Sequence, residues 1–515
     1  MLLDAWMISE IFGATILLIS ALYIYYKLYV FAFWRKKGVY NVEPTFLTGH
    51  MMPLLTGKIS QGDFFKDAYD QNRKHRLLGL YMLHKPYLMV NDPDIIREVL
   101  TKEFSSFHDR GIFSNTETDP LTGNLFQLPG KKWRQLRVKL TPTFTSGKIK
   151  QIFPILKETG DTLAKYLDRK AELKESIDVK EVFARYSVDI IMSVAFGITC
   201  DSFKNPDNEF RYWGKRILEP RPFWNGLVFF APQVFDWFGI PFNERGITNF
   251  FTTMFRETVE YRETHNIVRK DFLNLLMQLI RDGYVNPDDD SVSENTQAKA
   301  AENKLTMKEA SAQAYVFYLA GFETSSTTAT FCLYELAKNQ DIQDNLRDEI
   351  RNVVKKHGGI TYNAINDMRF LDKVISETLR KYPPVAFLNR VCTKEVLLES
   401  TGVTVPLGTP LVIPVYGIQN DRKIYPDPEK FDPDRFSEEN IKSRHPYVYL
   451  PFGEGPRVCI GLRFGLIQVK VAIINALLNH RVKPTPGMPD TLEFLGGTIV
   501  LIPKGGVHLN FETVA

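Results

Sequence analysis

The pattern of apolar and polar positions changes character several times along this chain. Residues 11–26 carry no charge (IFGATILLISALYIYY), and beyond Lys27 the apolar run resumes as far as Trp34. A bilayer core of about 30 Å needs roughly 20 helical residues, so this run spans one if Lys27 snorkels. Asp4 and Glu10 precede it, whereas Arg35, Lys36 and Lys37 follow, a bias that places the bulk of the chain on the cytosolic side. A cleaved signal peptide is the competing reading, but a basic n-region and a clear small-residue cleavage site are missing. A polar stretch with Pro44, Gly49 and Pro53 follows. The expected organisation is an anchor over 1–34, a linker over 35–53 and one large domain over 54–515. No internal repeat is visible.

Helical periodicity dominates the large domain. Thr306 and Glu309 form a capping box ahead of a helix-compatible stretch reaching about Lys338. That is roughly 33 residues, or about 50 Å, long for a globular protein. Shorter helices are predicted over 131–140, before Pro142, and over 368–381, before Pro383 and Pro384. Strand-like runs lie near 80–90 and 385–399, and again in GGTIVLIP and GVHLNF near the C-terminus. The predicted class is α+β, mainly α-helical. Residues 286–303 (NPDDDSVSENTQAKAAEN) read as an exposed acidic loop.

Composition narrows the function classes. With 515 residues, 44% hydrophobic and 24% charged, the chain is neither disordered nor fibrous. Length alone suggests about three domains, a soft prior that large single-domain enzymes break. A net charge of +4 gives no general argument for nucleic-acid binding, and none is expected. The 37 Phe, 22 Tyr and 6 Trp call for a large core, an apolar cavity or membrane contact. The four cysteines, Cys200, Cys332, Cys392 and Cys459, are far apart, which disfavours a disulfide scaffold, a zinc finger or a covalently attached haem.

The strongest chemical signal is FGEGPRVCIG at 452–461. Glycines at 453, 455 and 461 permit a tight loop whose N–H groups can converge on one atom. Arg457 adds a cation, and the next segment is helical, so Cys459 sits near a helix N-terminus. These features favour a thiolate, and a shielded thiolate is a good axial ligand for haem iron. The bland reading is a small buried hydrophobe in a turn. Five fixed positions in ten residues defeat it, since chance supplies them in only about one chain in 10⁴.

The segment from Phe452 to Gly461 resembles the haem-binding loop of cytochrome P-450 enzymes, the haem-thiolate monooxygenases. Other motifs follow in that family's order. Glu377 and Arg380 resemble ExxR, and Arg435 in FDPDRF resembles the arginine that joins them in a buried network. Glu323 and Thr324, after Gly321, resemble the oxygen-activation motif, in which an acid and an alcohol pass protons; a local helix kink is the bland alternative. Trp133 and Arg137 resemble WxxxR. The resemblance implies that both bind a haem propionate, together with Arg110, Arg390 and Arg457, although a surface arginine competes for Arg110. The linker departs from the family by lacking a Pro-Pro-Gly-Pro run.

TPTFTSGKIK and the order of spacings are most similar to the insect microsomal xenobiotic-metabolising group related to vertebrate family 3. The resemblance implies haem b with Cys459 as the iron ligand, O2 and small lipophilic substrates such as plant toxins or insecticides. It implies residence in the endoplasmic reticulum membrane, single-pass, with the catalytic domain cytosolic. It also implies electrons from NADPH–cytochrome P-450 reductase, with cytochrome b5 as a second donor. Lys131, Lys132, Arg134, Lys139 and Arg463 are candidates for the docking face, or for an ordinary solvated helix. The implied substrate pocket contains Phe107, Phe113, Leu125, Phe317, Ala320, Thr324, Ala386, Phe387, Leu388, Thr498 and Ile499; core packing is an equal reading for each. The aromatic segment 220–242, broken by four prolines, reads as a second membrane-dipping element. The rivals are oxidation of an endogenous lipid or hormone by the same chemistry, a haem-thiolate isomerase or dehydratase, a non-catalytic haem carrier, and a cysteine-nucleophile enzyme.

Overall fold

The computed structural model describes residues 2–285 and 304–514; the acidic stretch 286–303 lies outside the described residues. The capping box forms as the sequence predicts. Thr306 Oγ1 accepts from Glu309 N, and Thr306 N donates to the Glu309 carboxylate at 2.8 Å. The helix it starts, Met307–Lys338, is unbroken through Gly321 and the hydroxyl-rich stretch after it. It is buried on nearly all sides, as befits a helix at the centre of a domain.

Two further helices, Val179–Ile191 and Leu462–Leu477, pack against this central rod. Gly321 makes the first contact possible. A Cβ there would lie 2.4 Å from Ile191 Cδ1, so the glycine admits the neighbouring helix. The helix carries this glycine without a break, and packing explains its presence.

A four-stranded sheet lies to one side, in the order Leu77–Met82, Lys85–Val90, Pro410–Ile413, Leu388–Val391. The first two strands form an antiparallel hairpin, the second and third run parallel, and the last pair is antiparallel. His508–Thr513, matching the predicted GVHLNF run, sits between Ile177–Asp178 and His480–Pro484 in a smaller sheet. The GGTIVLIP run forms no strand, only an isolated bridge from Phe494 to Pro503. Its backbone is committed elsewhere: Leu501 N donates to Pro384 O, and Gly497 takes a left-handed φ of 73° against Pro222.

The N-terminal helix Leu2–Tyr25 continues into a π-helical turn, Tyr26–Val30. An apolar span of 31 residues, Trp6–Lys36, is long enough to cross a bilayer. Its far end behaves differently from its start. Trp34 is fully buried, and its Nε1 donates to Leu80 O in the sheet hairpin. The segment 220–242 folds into two short helices, Pro222–Phe230 and Gln233–Phe238. It divides its rings: Trp237 and Phe238 are about three-quarters exposed, whereas Phe229, Phe230 and Phe235 are buried.

Candidate active site

The loop before Leu462–Leu477 is shaped by its glycines. Gly453 and Gly455 have φ of 71° and 73°, and a Cβ on Gly455 would meet Leu100 O at 2.1 Å. Val458 N donates to Gly455 O and Cys459 N to Phe452 O, closing the turn. Gly461 caps the following helix, and its backbone hydrogen-bonds the Cys459 sulfur. The Cys459 side chain is screened from bulk water, and the surface it exposes opens onto an interior cavity.

That cavity has about 1590 Å³, its open mouth included. Its walls are mostly apolar, with a small number of polar groups among them, as small-molecule sites usually are. Phe317, Ala320 and Thr324 line it from the central helix; Phe387 and Leu388 line it from the segment after Lys381, and Leu125 and Ile499 from loops. Phe452 and Trp133 also face it.

Four arginines converge on the same cavity: Arg110, Arg137, Arg390 and Arg457. Among the described residues, the one carboxylate paired with any of them is Asp109, 3.5 Å from Arg457 Nη2. Burial pushes Arg110 down to about 10, with repulsion from Arg137 adding to it and the Cys459 charge opposing it. Arg390 falls to about 9 through burial and repulsion from Arg110, and its Nε has no hydrogen-bond partner. Arg457 falls to about 8, again through burial first and then through Arg110 and Arg390. Guanidiniums held this way lack counter-charge, and a planar fork suits carboxylates. Haem b fits this set: the arginines would hold its two carboxylates and Cys459 would ligate its iron. A lone sulfur also fits a metal that brings its other ligands with it, and no cluster of three metal-ligating side chains occurs among the described residues.

The expected thiolate is not secured by the protein alone. Burial raises the Cys459 thiol, outweighing the Gly461 hydrogen bond and the Arg110 and Arg137 charges. Arg457, which the sequence suggested as the nearby cation, instead stacks 3.8 Å over the Trp133 ring and donates to His108, Leu125 and Leu128 carbonyls.

Several residues expected at the cavity lie elsewhere. Phe107, Phe113, Ala386 and Thr498 are buried in the core and do not line it. Phe113 packs on Phe235, and Thr498 Oγ1 closes a turn to Leu495 O. Glu323 is also off the cavity. It points along another face of the central helix, where Lys180 Nζ lies 2.9 Å away. Glu323 and Thr324 are therefore not a hydrogen-bonded acid–alcohol pair, because consecutive helical residues point about 100° apart. Thr324 Oγ1 donates to Ala320 O at 2.6 Å.

Wall residues that the motifs missed include Phe126, Phe229, Val316, Val385, Leu466 and Val469. Phe126, Val316 and Val385, each beside a named position, left a trace in the sequence. Phe229 belongs to the segment expected at the membrane.

Behind the cysteine loop, Glu377 and Arg380 are fully buried and joined by two hydrogen bonds of 2.8 and 2.9 Å. Arg435 Nε stands 3.4 Å from Glu377 Oε1, and Asp432 N donates to the same oxygen. Arg380 also donates to the Gln419 and Pro428 carbonyls. A solvated helix ion pair, the bland reading of this spacing, does not describe it.

The family profile for Cytochrome P450 matches residues 44–510. Cytochrome P450 6k1 of Blattella germanica is 40% identical, covering 96% of this chain and 95% of its own. Probable cytochrome P450 6d4 of Drosophila melanogaster is 38% identical over 94% of each chain. Cytochrome P450 6a2 of the same fly is 37% identical over 96% of this chain and 97% of its own. The chain belongs to the cytochrome P450 family, whose members are monooxygenases that carry haem on a cysteine thiolate.

Proposed function

We propose that this enzyme oxidises lipophilic xenobiotics such as plant toxins or insecticides, with Cys459 as the thiolate ligand and Arg110, Arg137, Arg390 and Arg457 at the haem carboxylates. One observation carries the reading: a single thiol and four under-neutralised arginines open onto one mostly apolar cavity. Haem, when bound there, supplies the redox-active iron that activates dioxygen.

The chain's own residues do the rest. Cys459 Sγ occupies the cavity floor, where its charge is shielded from water and answered by the Gly461 backbone, Arg110 and Arg137. Trp133 supports the Arg457 guanidinium through its ring face. Phe317, Ala320, Phe387, Leu388 and Ile499 exclude water and hold an apolar substrate by shape. Thr324 supplies a hydroxyl at the wall that can take and release a proton at Oγ1, while Glu323 acts from behind through the Lys180 pair. Glu377, Arg380 and Arg435 brace the loop without touching substrate.

Electrons come from NADPH–cytochrome P-450 reductase, with cytochrome b5 as a second donor. Lys131, Lys132, Arg134 and Arg463 are exposed on the cysteine-loop side and suit an acidic partner. The enzyme sits in the endoplasmic reticulum membrane with its catalytic domain cytosolic. Its parts are an anchor over 1–34, a linker over 35–53 and a catalytic domain from 54 onward. Exposed Trp237 and Phe238 support a second contact with the lipid.

The test is twofold. Reduced protein under carbon monoxide should show the absorption band of thiolate-ligated haem. A panel of plant compounds and insecticides should then be turned over only with reductase and NADPH present. A histidine-type spectrum, or turnover without electrons, would overturn the proposal.

A further inference from the structure

Where the apolar span ends, the chain encloses a second pocket whose residues have no part in the chemistry above. Tyr23, Tyr26, Lys27 and Phe31 line one side with Arg35; Asn41, Glu43, Pro44 and Phe46 of the following segment line the other. Its volume is about 830 Å³ with its open mouth.

The charges in this pocket are unspent. Two cations and one carboxylate share it, yet Lys27, Arg35 and Glu43 make no ion pair with each other or with any other described residue. Lys27 Nζ has only the Tyr23 ring, 5.9 Å away. The rings stand edge to face: Tyr23 on Phe46 at 66°, Tyr26 on Phe46 at 79° and Tyr26 on Phe31 at 71°, with centroids 5.4–5.5 Å apart. These four rings give the pocket an aromatic wall, and an aromatic ring face suits a quaternary ammonium.

The pocket thus offers two cations for a phosphodiester, and a carboxylate with ring faces for a positive head. It lies at the level where a bilayer's headgroups meet an anchor whose lysine must reach the interface. We infer that it binds the headgroup of one choline-type zwitterionic phospholipid, phosphate at Lys27 and Arg35, ammonium at Glu43 and the rings. This rests on the reading of Trp6–Lys36 as a membrane span. Such a lipid would fix the angle between anchor and catalytic domain, a job the linker does not do with a proline-rich stiffener.

The test uses the full chain in detergent and native mass spectrometry. The wild type should retain one phosphatidylcholine in preference to phosphatidylglycerol, and soluble glycerophosphocholine should displace it better than inorganic phosphate. The Lys27→Gln/Arg35→Gln double variant should bind about thirtyfold more weakly, the loss expected for two exposed hydrogen bonds to its phosphate. Glu43→Gln should erase the preference for choline over glycerol headgroups and keep the binding of phosphatidylglycerol. Equal retention by wild type and double variant, or indifference to headgroup, would overturn the inference. Carbonate washing of cell membranes separates the two readings. A wild type that washes off defeats the span and the pocket together. One that stays, while all variants bind lipid alike, defeats the pocket alone.

Discussion

Lys180 holds the Glu323 carboxylate at 2.9 Å on a face of the central helix turned about 100° from the adjacent Thr324, which opens into the cavity. The two residues therefore make separable contributions. Thr324→Ala should cut product per NADPH consumed by roughly a hundredfold, the low end of what a positioned proton carrier contributes. Carbon monoxide binding should stay intact. Lys180→Met leaves Glu323 buried and uncompensated, so it should destabilise the fold by about 3–5 kcal/mol. Thermal unfolding together with the ratio of product to NADPH separates these effects.

Glu377→Gln should be among the most damaging substitutions away from the cavity. It strips the countercharge from Arg380, which has no exposure, and from Arg435. The expected cost is about 3–5 kcal/mol. Denaturant unfolding should show it, accompanied by haem loss at lower denaturant than in the wild type.

Gly321→Val should destabilise although glycine is a poor helix former. Replacing a helical glycine normally gains about 1 kcal/mol, but overpacking costs about 1–3. Here the added carbons meet Ile191 Cδ1 at 2.4 Å or closer. The pair Gly321→Ala with Ile191→Val should recover wild-type stability or exceed it, since only the tip of one side chain blocks the site. Melting temperatures of the single and double variants settle the sign.

His480 should make stability pH-dependent. Burial holds its pKa below 6.5, against the pull of Asp168 at 3.0 Å and of Ala476 O. The unfolded chain thus takes up a proton near 6.5 that the folded chain refuses until a lower pH. Stability is complete above 6.5 and is lost as pH falls from there through the folded value. His480→Gln should flatten the melting temperature between pH 7.5 and 5. An unchanged slope would show that other groups govern it.

Some of this protein is written locally. The capping box, the long helix it starts and the glycine loop around Cys459 depend on residues within a turn or two of each other. Backbone hydrogen bonding and left-handed glycines specify such features without help from distant parts, so the shape of the motif is legible in one dimension, whereas the charges around its sulfur are not. The Glu377–Arg380 spacing is legible too, though its burial is not.

Tertiary packing decided the rest. Glu323 and Thr324 look like a pair in the sequence, but helical geometry turns them about 100° apart and Lys180, far away in sequence, takes the acid. Phe107, Phe113, Ala386 and Thr498 are as apolar or as small as true wall residues, and only the packing around them makes them core. The GGTIVLIP run has strand composition, yet its backbone groups are taken by Pro384 and the neighbouring turn. By itself the sequence determined the glycine loop that carries Cys459 and the mainly helical class, because these follow from neighbours along the chain. Which side chains face the cavity, which charges remain unneutralised there and which are answered by a partner were decided only when segments hundreds of residues apart came together. Burial and counter-charge are properties of that assembly and of no single segment.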